Sequence, residues 1–313
     1  MPTFDVTIAG EVNLDLILYG VPEELPRERE LLANRMKLTL GGSSAILAHN
    51  LAALGSRVGF QSCIGDDDFG QIALQPLQQS GVDVSRVRRV EGAVGTGITV
   101  ILQREHWRNM LTYSGTIAEL AWDELDLDYL KNSRHFHLSS FYLQRKLRER
   151  IPELFRRMKE AGLTTSLDTN DDPDDGWEGG LHEALRYVDI FLPNEREVQK
   201  AAGVADVEAA IQKLSAIVPL LVVKLGRRGA LAQRGSERFV GSAMTVESVD
   251  PVGAGDSFDA GFLHEYLRGG DLPGCLAAGN LAGAFSTTRP GGVEAFRDAA
   301  YRRKFFEQHR LGK

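Results

Sequence analysis

Cysteine is nearly absent from this chain of 313 residues: only Cys63 and Cys275 occur, and neither belongs to a CxxC pair. That scarcity excludes a disulfide framework and leads to the expectation of a reduced, cytoplasmic protein. Basic charge is not in excess either, since 36 lysines and arginines face 43 acids and leave a net charge of −7. A nucleic-acid-binding surface is therefore not expected. No apolar run approaches the roughly 20 residues that a membrane span requires, so no membrane association is expected. The start "MPTFDVTIAGEVNLD" has neither the basic nor the long apolar segment of a signal peptide. Low-complexity tracts, fixed-period repeats and Gly-, Pro- or Ser-rich linkers are also missing, which favours one domain over residues 1–313. There is no GxxxxGK[ST] motif, which argues against a P-loop kinase. No GxGxxG follows the first strand, which argues against a dinucleotide-dependent dehydrogenase.

What is present is an alternation of short apolar runs with helix-length segments. "FDVTIAG" and "RVGFQSCIG" read as strands. Between them, "SSAILAHNLAALG" places Leu47, Leu51 and Leu54 on one helical face, with Gly55 as terminator. Further on, "HFHLSS", "TTSLDTND", "DIFLPNERE" and "PLLVVKLG" are strands separated by helices. This is the pattern of βαβ units and a mostly parallel sheet. Those four strands end in Ser139-Ser140, Asp168 to Asp171, Asn194 to Glu197, and Lys224 with Gly226. Ligands of open α/β sheets bind at the carboxyl ends of the strands, although any one such cluster is also an ordinary polar loop. Two segments break the alternation: residues 12–40, and residues 94–116, which read as a hairpin around the polar tip Arg104 to Asn109. A small β lid over one end of the sheet accounts for both, and edge strands of the same sheet account for them equally well.

The stretch "DPVGAGDSFDAGFL", residues 250–263, carries the chemistry. Val246 to Val249 is expected to form a strand. Gly255 to Arg268 is expected to form an amphipathic helix, with Phe258, Phe262 and Tyr266 on one stripe. Gly253, Ala254 and Gly255 then lie where the first N–H groups of that helix have no internal partner. Small side chains let an anion approach those groups, and the helix dipole favours negative charge there. Asp256 sits in the first turn beside the same spot. An anion hole next to a carboxylate suits phosphoryl transfer to a hydroxyl, with the carboxylate taking the hydroxyl proton. The alternative is a tight turn followed by an unremarkable first-turn acid.

The company this stretch keeps separates the two readings. "DPVGAGDSFDAGFL" resembles the C-terminal signature of the PfkB (ribokinase-like) family of sugar and nucleoside kinases. "GEVNLDLIL" resembles the family's opening strand, and "GGSSAILAHNLAALGSRVGFQSCIGDDDFG" its N-terminal signature. "NERE" is similar to its N-x-x-E motif, and "VVKLGRRGA" to its nucleotide-binding loop. The resemblance covers nearly the whole chain, and the order and spacing of the motifs make it specific. It implies a ribokinase-like α/β fold, a mostly parallel central sheet flanked by helices with a small β lid. It also implies a cytoplasmic kinase that uses ATP and Mg²⁺.

Residue by residue, the resemblance makes Asp256 the catalytic base and the backbone of Gly253, Ala254 and Gly255 the anion hole. Asn194 and Glu197 are implied to organise Mg²⁺ and the ATP phosphates, largely through water, as Mg²⁺ prefers. The same pair also reads as a helix N-cap with an acid at its third position. Lys224, Gly226 and Gly229 match the loop that lines the nucleotide, and Asn280 a position near the adenine. The substrate side falls to Asn13, Asp15, Gly41 and Gly42, joined by Asp168 and Asn170 in "LDTNDD". Arg108, on the expected hairpin, is placed to reach an acidic or hydroxylated substrate, or else stands solvated at its tip. His135 and His137 alternate across a strand and read as structural.

The chain departs from the family at Ile46, where sugar kinases usually carry an asparagine four residues after the second glycine; Asn50 follows one turn later. Ribose- or fructose-like specificity therefore does not follow. Asp250 is left in place for a monovalent-cation site such as one for K⁺. The leading expectation is an ATP-dependent kinase acting on a hydroxyl, most simply a primary one, of a monosaccharide or sugar acid. A nucleoside kinase is the alternative, and a non-catalytic sugar- or nucleotide-binding regulator a third. Intact Asp256 and Glu197 argue against the regulator. A homodimer through the lid is the expected assembly.

Overall fold

The computed structural model describes residues 2–104 and 107–309, so two residues of the expected hairpin tip lie outside the described residues. The first strand, β1 (Phe4–Ala9), sits inside a nine-stranded sheet of order β13-β12-β11-β10-β9-β8-β1-β4-β5. Its other members are β4 (Val58–Gly65), β5 (Asp83–Val90), β8 (Ser133–Ser139), β9 (Thr164–Asp168), β10 (Ile190–Phe191), β11 (Leu220–Lys224), β12 (Ala230–Arg234) and β13 (Glu237–Gly241). Pairing is parallel from β5 to β11 and antiparallel only across the β11–β12–β13 edge. The antiparallel hairpin at that edge was not anticipated from the sequence.

Period-two alternation explains the layers. In β11, Leu221 and Val223 enter one core with Phe136, Phe155 and Met158, while Leu220 and Val222 enter the other with Val6, Phe60 and Phe262. Helices cover both faces. They run from α1 (Ser43–Leu54), α2 (Asp68–Ser80), α3 (Leu127–Lys131) and α4 (Ile151–Glu160) to α5 (Leu181–Leu185), α6 (Glu195–Ala202) and α7 (Val207–Ser215). The C-terminal set is α8 (Ala254–Leu267), α9 (Leu272–Ser286), α10 (Glu294–Arg297) and α11 (Ala299–Gln308). No helix of the described residues is long and apolar enough to cross a membrane.

The two segments that broke the alternation form a separate four-stranded sheet of order β3-β2-β6-β7. It is built from β2 (Asn13–Tyr19), β3 (Arg35–Gly41), β6 (Gly97–Gln103) and β7 (Arg108–Tyr113). Ile17, Tyr19 and Ile101 of this sheet pack on Val252, just before α8.

Two local expectations fail. Val246 to Val249 forms no strand: the sheet edge ends at Gly241, and the Val249 and Asp250 amides both donate to Thr287 O. The chain there follows the end of α9 and has no strand to pair with. Helix α8 is not amphipathic either. Every residue from Asp256 to Leu263 is buried, because α1 and α9 enclose the helix on the sheet. A Cβ on Gly261 would lie 2.4 Å from Ala278 O, so glycine permits the close α8–α9 approach. The expected stripe does exist, with Phe258, Phe262 and Tyr266 stacked at 6.2 and 6.4 Å between ring centroids.

Candidate active site

The start of α8 is shaped by Gly253. Its φ is +73°, and a Cβ there would lie 2.4 Å from Gly292 Cα. Both facts require glycine. No side chain caps this helix; Ala254 N donates to Pro251 O at 3.2 Å, which leaves the amides of Gly255 and Asp256 to face an anion. Asp256 follows, only 8% exposed. Burial pushes its carboxyl up to about 6, with Asp168 adding to the rise. Lys224, the Ser43 hydroxyl and the Asn170 amide oppose it. A carboxylate poised near neutrality is suited to accept a proton.

The second sheet supplies the facing wall. Asp15 is buried, and Asn13 Nδ2 donates to its Oδ1 at 3.2 Å. Burial, then the charge of Asp256, pushes Asp15 up to about 7, so the two acids sense one another across the site. The paired glycines are needed for this wall: a Cβ on Gly41 would lie 2.3 Å from Asp15 Oδ1, and one on Gly42 (φ +86°) 2.8 Å from Asn13 Oδ1. Arg108 is exposed on β7, and its charge draws Asp15 downward.

The strand ends form the floor. Asn170 is held at φ +53°, its Oδ1 accepting from Ser140 N at 2.8 Å and its Nδ2 donating to Ser43 Oγ at 2.9 Å. Lys224 Nζ lies between Asp168 Oδ2 at 2.6 Å and Asp259 Oδ2 at 3.0 Å. Burial opposes the Lys224 charge, but Asp168, Asp259 and Glu197 outweigh it and hold its pKa above the ordinary lysine value. Asn194 and Glu197 do form the capping box: Glu197 accepts from Asn194 N at 2.7 Å and from Nδ2 at 2.6 Å, while Asn194 Oδ1 accepts from Glu197 N at 2.9 Å. Burial, followed by Asp168, pushes Glu197 up to about 8.

Asn13, Asp15, Gly41, Gly42, Asp168, Asn170, Lys224 and the Gly253–Asp256 segment thus converge. Gly226 and Gly229 lie between β11 and β12 at the adjoining hairpin edge, and Asn280 of α9 reaches that edge. Asn280 Nδ2 donates to Gly241 O at 3.1 Å, and Gly229 (φ +94°) is pressed against the same carbonyl. Ile46 is 3% exposed, and its Cδ1 lies against Gly253 and Gly292. Asn50, one turn on, donates to Ser257 Oγ and Gly292 O and braces the α8 start. His135 and His137 are buried, their ring nitrogens on the hydroxyls of Thr164, Ser166 and Ser139.

Sequence reasoning missed three groups. Glu11, fully enclosed, gathers Ser44 N, Ser44 Oγ, Ser140 Oγ and Gln144 Nε2, tying α1 to the end of β8. Asp259 was visible as an acid three residues after Asp256. Tyr19 had no signal, since its partner Asp250 is 231 residues away.

No group of three or more His, Cys, Asp or Glu side chains among the described residues is arranged to hold a metal ion. Asp168, Glu197 and Asp259 nevertheless surround a single lysine, and Asp259 Oδ1 is buried without a partner. This acid excess fits Mg²⁺ that arrives with phosphate and water ligands of its own.

The sequence model described as pfkB family carbohydrate kinase matches residues 3–299. The chain is 31% identical over 291 residues to an ATP-dependent ribose-1-phosphate kinase from Halopiger xanaduensis, covering 93% of this chain and 94% of that one. It is 29% identical over 268 residues to a 2-dehydro-3-deoxygluconokinase from Bacillus subtilis, covering 82% of each. Among solved structures, a putative Ribokinase II from E. coli in complex with ATP and Mg²⁺ superposes with a TM-score of 0.84 at 25% identity. The match covers 98% of this chain and 100% of that one.

Proposed function

The chain belongs to the pfkB family of carbohydrate kinases and is a phosphotransferase with a hydroxyl acceptor; we propose that it moves the γ-phosphoryl group of ATP to a hydroxyl of a monosaccharide or sugar acid, with Asp256 as general base. The observation that carries this reading is the buried Asp256 at an uncapped helix start, facing Asp15 and Asn13 of a second sheet. The acceptor hydroxyl lies between these walls. Asp256 takes its proton as the oxygen attacks the γ-phosphorus, the bond to the β,γ-bridging oxygen breaks and ADP leaves, and the first-turn amides of α8 receive the charge on the transferring group. Mg²⁺ arriving with ATP would neutralise phosphate charge, and Asn194 and Glu197, locked together in the capping box, are the residues that would hold it. The second sheet acts as a lid that excludes water from the site.

The likeness to a 2-dehydro-3-deoxygluconokinase supports a sugar-acid acceptor, for which Arg108 supplies the complementary charge. A nucleoside acceptor is the second reading. It rests on Ile46, which puts methyl groups beside Gly253 where an amide would favour a further hydroxyl. ADP formation across a panel of sugars, sugar acids, sugar phosphates and nucleosides tests both readings. Asp250 fits a protein clasp better than a cation site, because Val252 N, Gly291 N and Tyr19 Oη already donate to it.

The outer parts of the second sheet expose Met36 (64%), Met110 (55%), Leu111 (64%) and Tyr113 (55%). A second copy of the chain covers this patch in the proposed assembly. Sedimentation should show a dimer that Leu111→Glu dissociates, and a monomeric parent would remove the dimer from the reading.

A further inference from the structure

Lys224 closes β11, and its side chain runs beneath the first two turns of α8. The side chain is 11% exposed, and its partners Asp168 and Asp259 are 2% and 1% exposed. A Cβ on Gly255 would stand 3.7 Å from Nζ, so the ammonium lies against the residue that precedes the base. Asp259 Oδ1 has no hydrogen-bond partner although it is buried. Buried ion pairs are poor sources of stability, because desolvation offsets the attraction. One ammonium among Asp168, Asp259 and Glu197, with Asp256 adjoining, is a poor arrangement for stability alone.

We propose that Lys224 is a positioning residue of the phosphoryl-transfer centre: clamped by Asp168 and Asp259 against the start of α8, its ammonium sets the charge balance of the pocket and fixes the Asp168–Asn170–Ser43 chain against the base. The inference rests on Asp256 being that base. Asp168 Oδ1 accepts from Asn170 N at 3.4 Å, and Asn170 Nδ2 donates to Ser43 Oγ at 2.9 Å. Ser43 and Asn170 in turn favour the ionised form of Asp256. The charged groups that act on Asp256 are Asp168 from β9 and Lys224 from β11, and Asp256 acts in turn on Asp15 from β2. Asp259 of its own helix pairs with Lys224, and burial holds its carboxyl well above the ordinary carboxylate range. Arg108 of β7 acts on Asp15, and Glu197 of α6 acts on Lys224. Helix α1 adds only His49, which burial pushes down to about 4 and so leaves neutral, and α9 carries no charged side chain. Lys224 is thus the cation that lets the base stay ionised among acids.

Two readouts test this on the full chain. One is the pH dependence of kcat/KM for the best acceptor found. The other needs no substrate: the difference in thermal midpoint between each protein and its Asp256→Asn derivative, followed across pH. Lys224→Met should raise the acid limb, and the midpoint difference curve with it, by about one pH unit, an opposite charge at this range being worth that much or more. At a pH below the limb this is about a tenfold loss, with KM for the acceptor nearly unchanged. Lys224→Arg should restore the parental limb. Asp168→Asn, which removes the acid that raises Asp256 and leaves Asp259 to hold the ammonium, should move both curves downward, and it remains informative if Lys224→Met does not fold. Curves that overlay the parent's in both Lys224→Met and Asp168→Asn would make Lys224 a structural ion pair and overturn the proposal. A parent that forms no ADP with any acceptor refutes the kinase reading instead, while the thermal curves still decide the role of Lys224.

Discussion

The hydroxyl of Tyr19, on the second sheet, donates to Asp250 Oδ2 at 2.6 Å. Asp250 is fully buried and also holds the amides of Val252 and Gly291, on either side of the α8 start. Closure of the sheet and alignment of the anion hole are therefore joined through one hydrogen bond. Tyr19→Phe is expected to cost about 1.5–3 kcal/mol, the range for a hydrogen bond to a charged group. It should also raise KM for the acceptor, measured beside chemical unfolding. In the parent, replacing K⁺ with choline should leave turnover within about twofold, far below the tenfold that 1.4 kcal/mol of lost stabilisation would produce. Strong activation by K⁺ would show that Asp250 serves a cation after all.

Asp256 should make the fold less stable as it ionises. Its carboxyl titrates near 6 in the folded chain, against about 3.9 when unfolded. The native state therefore holds the extra proton between those values, and stability contributed by this group falls as pH rises through that window. Asp256→Asn should match the parent near pH 4 and exceed it above pH 6, by up to about 3 kcal/mol. Denaturant unfolding at both pH values checks the sign. A variant less stable than the parent at neutral pH would contradict the desolvation account.

Much of the site could be read in the sequence because the strands that end in it are apolar runs cut off by polar residues: "SLDTN", "FLPNERE" and "VVKLG" all stop where the sheet does. The glycines of the α8 start and of Gly41-Gly42 were legible for a related reason, since small residues mark close backbone approach. Residues 12–40 and 94–116 stood out because they break the helix–strand rhythm, but the pattern fitted edge strands of the main sheet as well as the second sheet that they form. Burial was harder to read. Lys224 looks like a loop cation, and only the fold brings Asp168 and Asp259 to it from positions 56 residues before and 35 after. Val246–Val249 has strand composition but meets no strand edge, and α8 hides its polar residues because α9 supplies an apolar cover that sequence periodicity does not reveal.

Ile46→Asn tests the chain's departure from its relatives. The side chain is buried against Gly253 and Gly292, so an amide without a partner there should cost about 1–3 kcal/mol. If the amide instead turns toward the acceptor, kcat/KM should shift roughly tenfold toward fully hydroxylated sugars, equivalent to about 1.4 kcal/mol. The acceptor panel run on a variant shown to be folded decides. An unchanged order of acceptors would place position 46 in the core and not at the substrate.

The central claim is that Asp256 removes the proton from the acceptor hydroxyl. The most direct measurement is ADP formation with the best acceptor by the parent and by Asp256→Asn, with ATP binding followed separately. Turnover should fall by roughly 10²–10⁴-fold, the usual loss for a general base, while ATP affinity stays close to the parent's. Turnover within a few-fold of the parent, in a variant that still binds ATP, would contradict it.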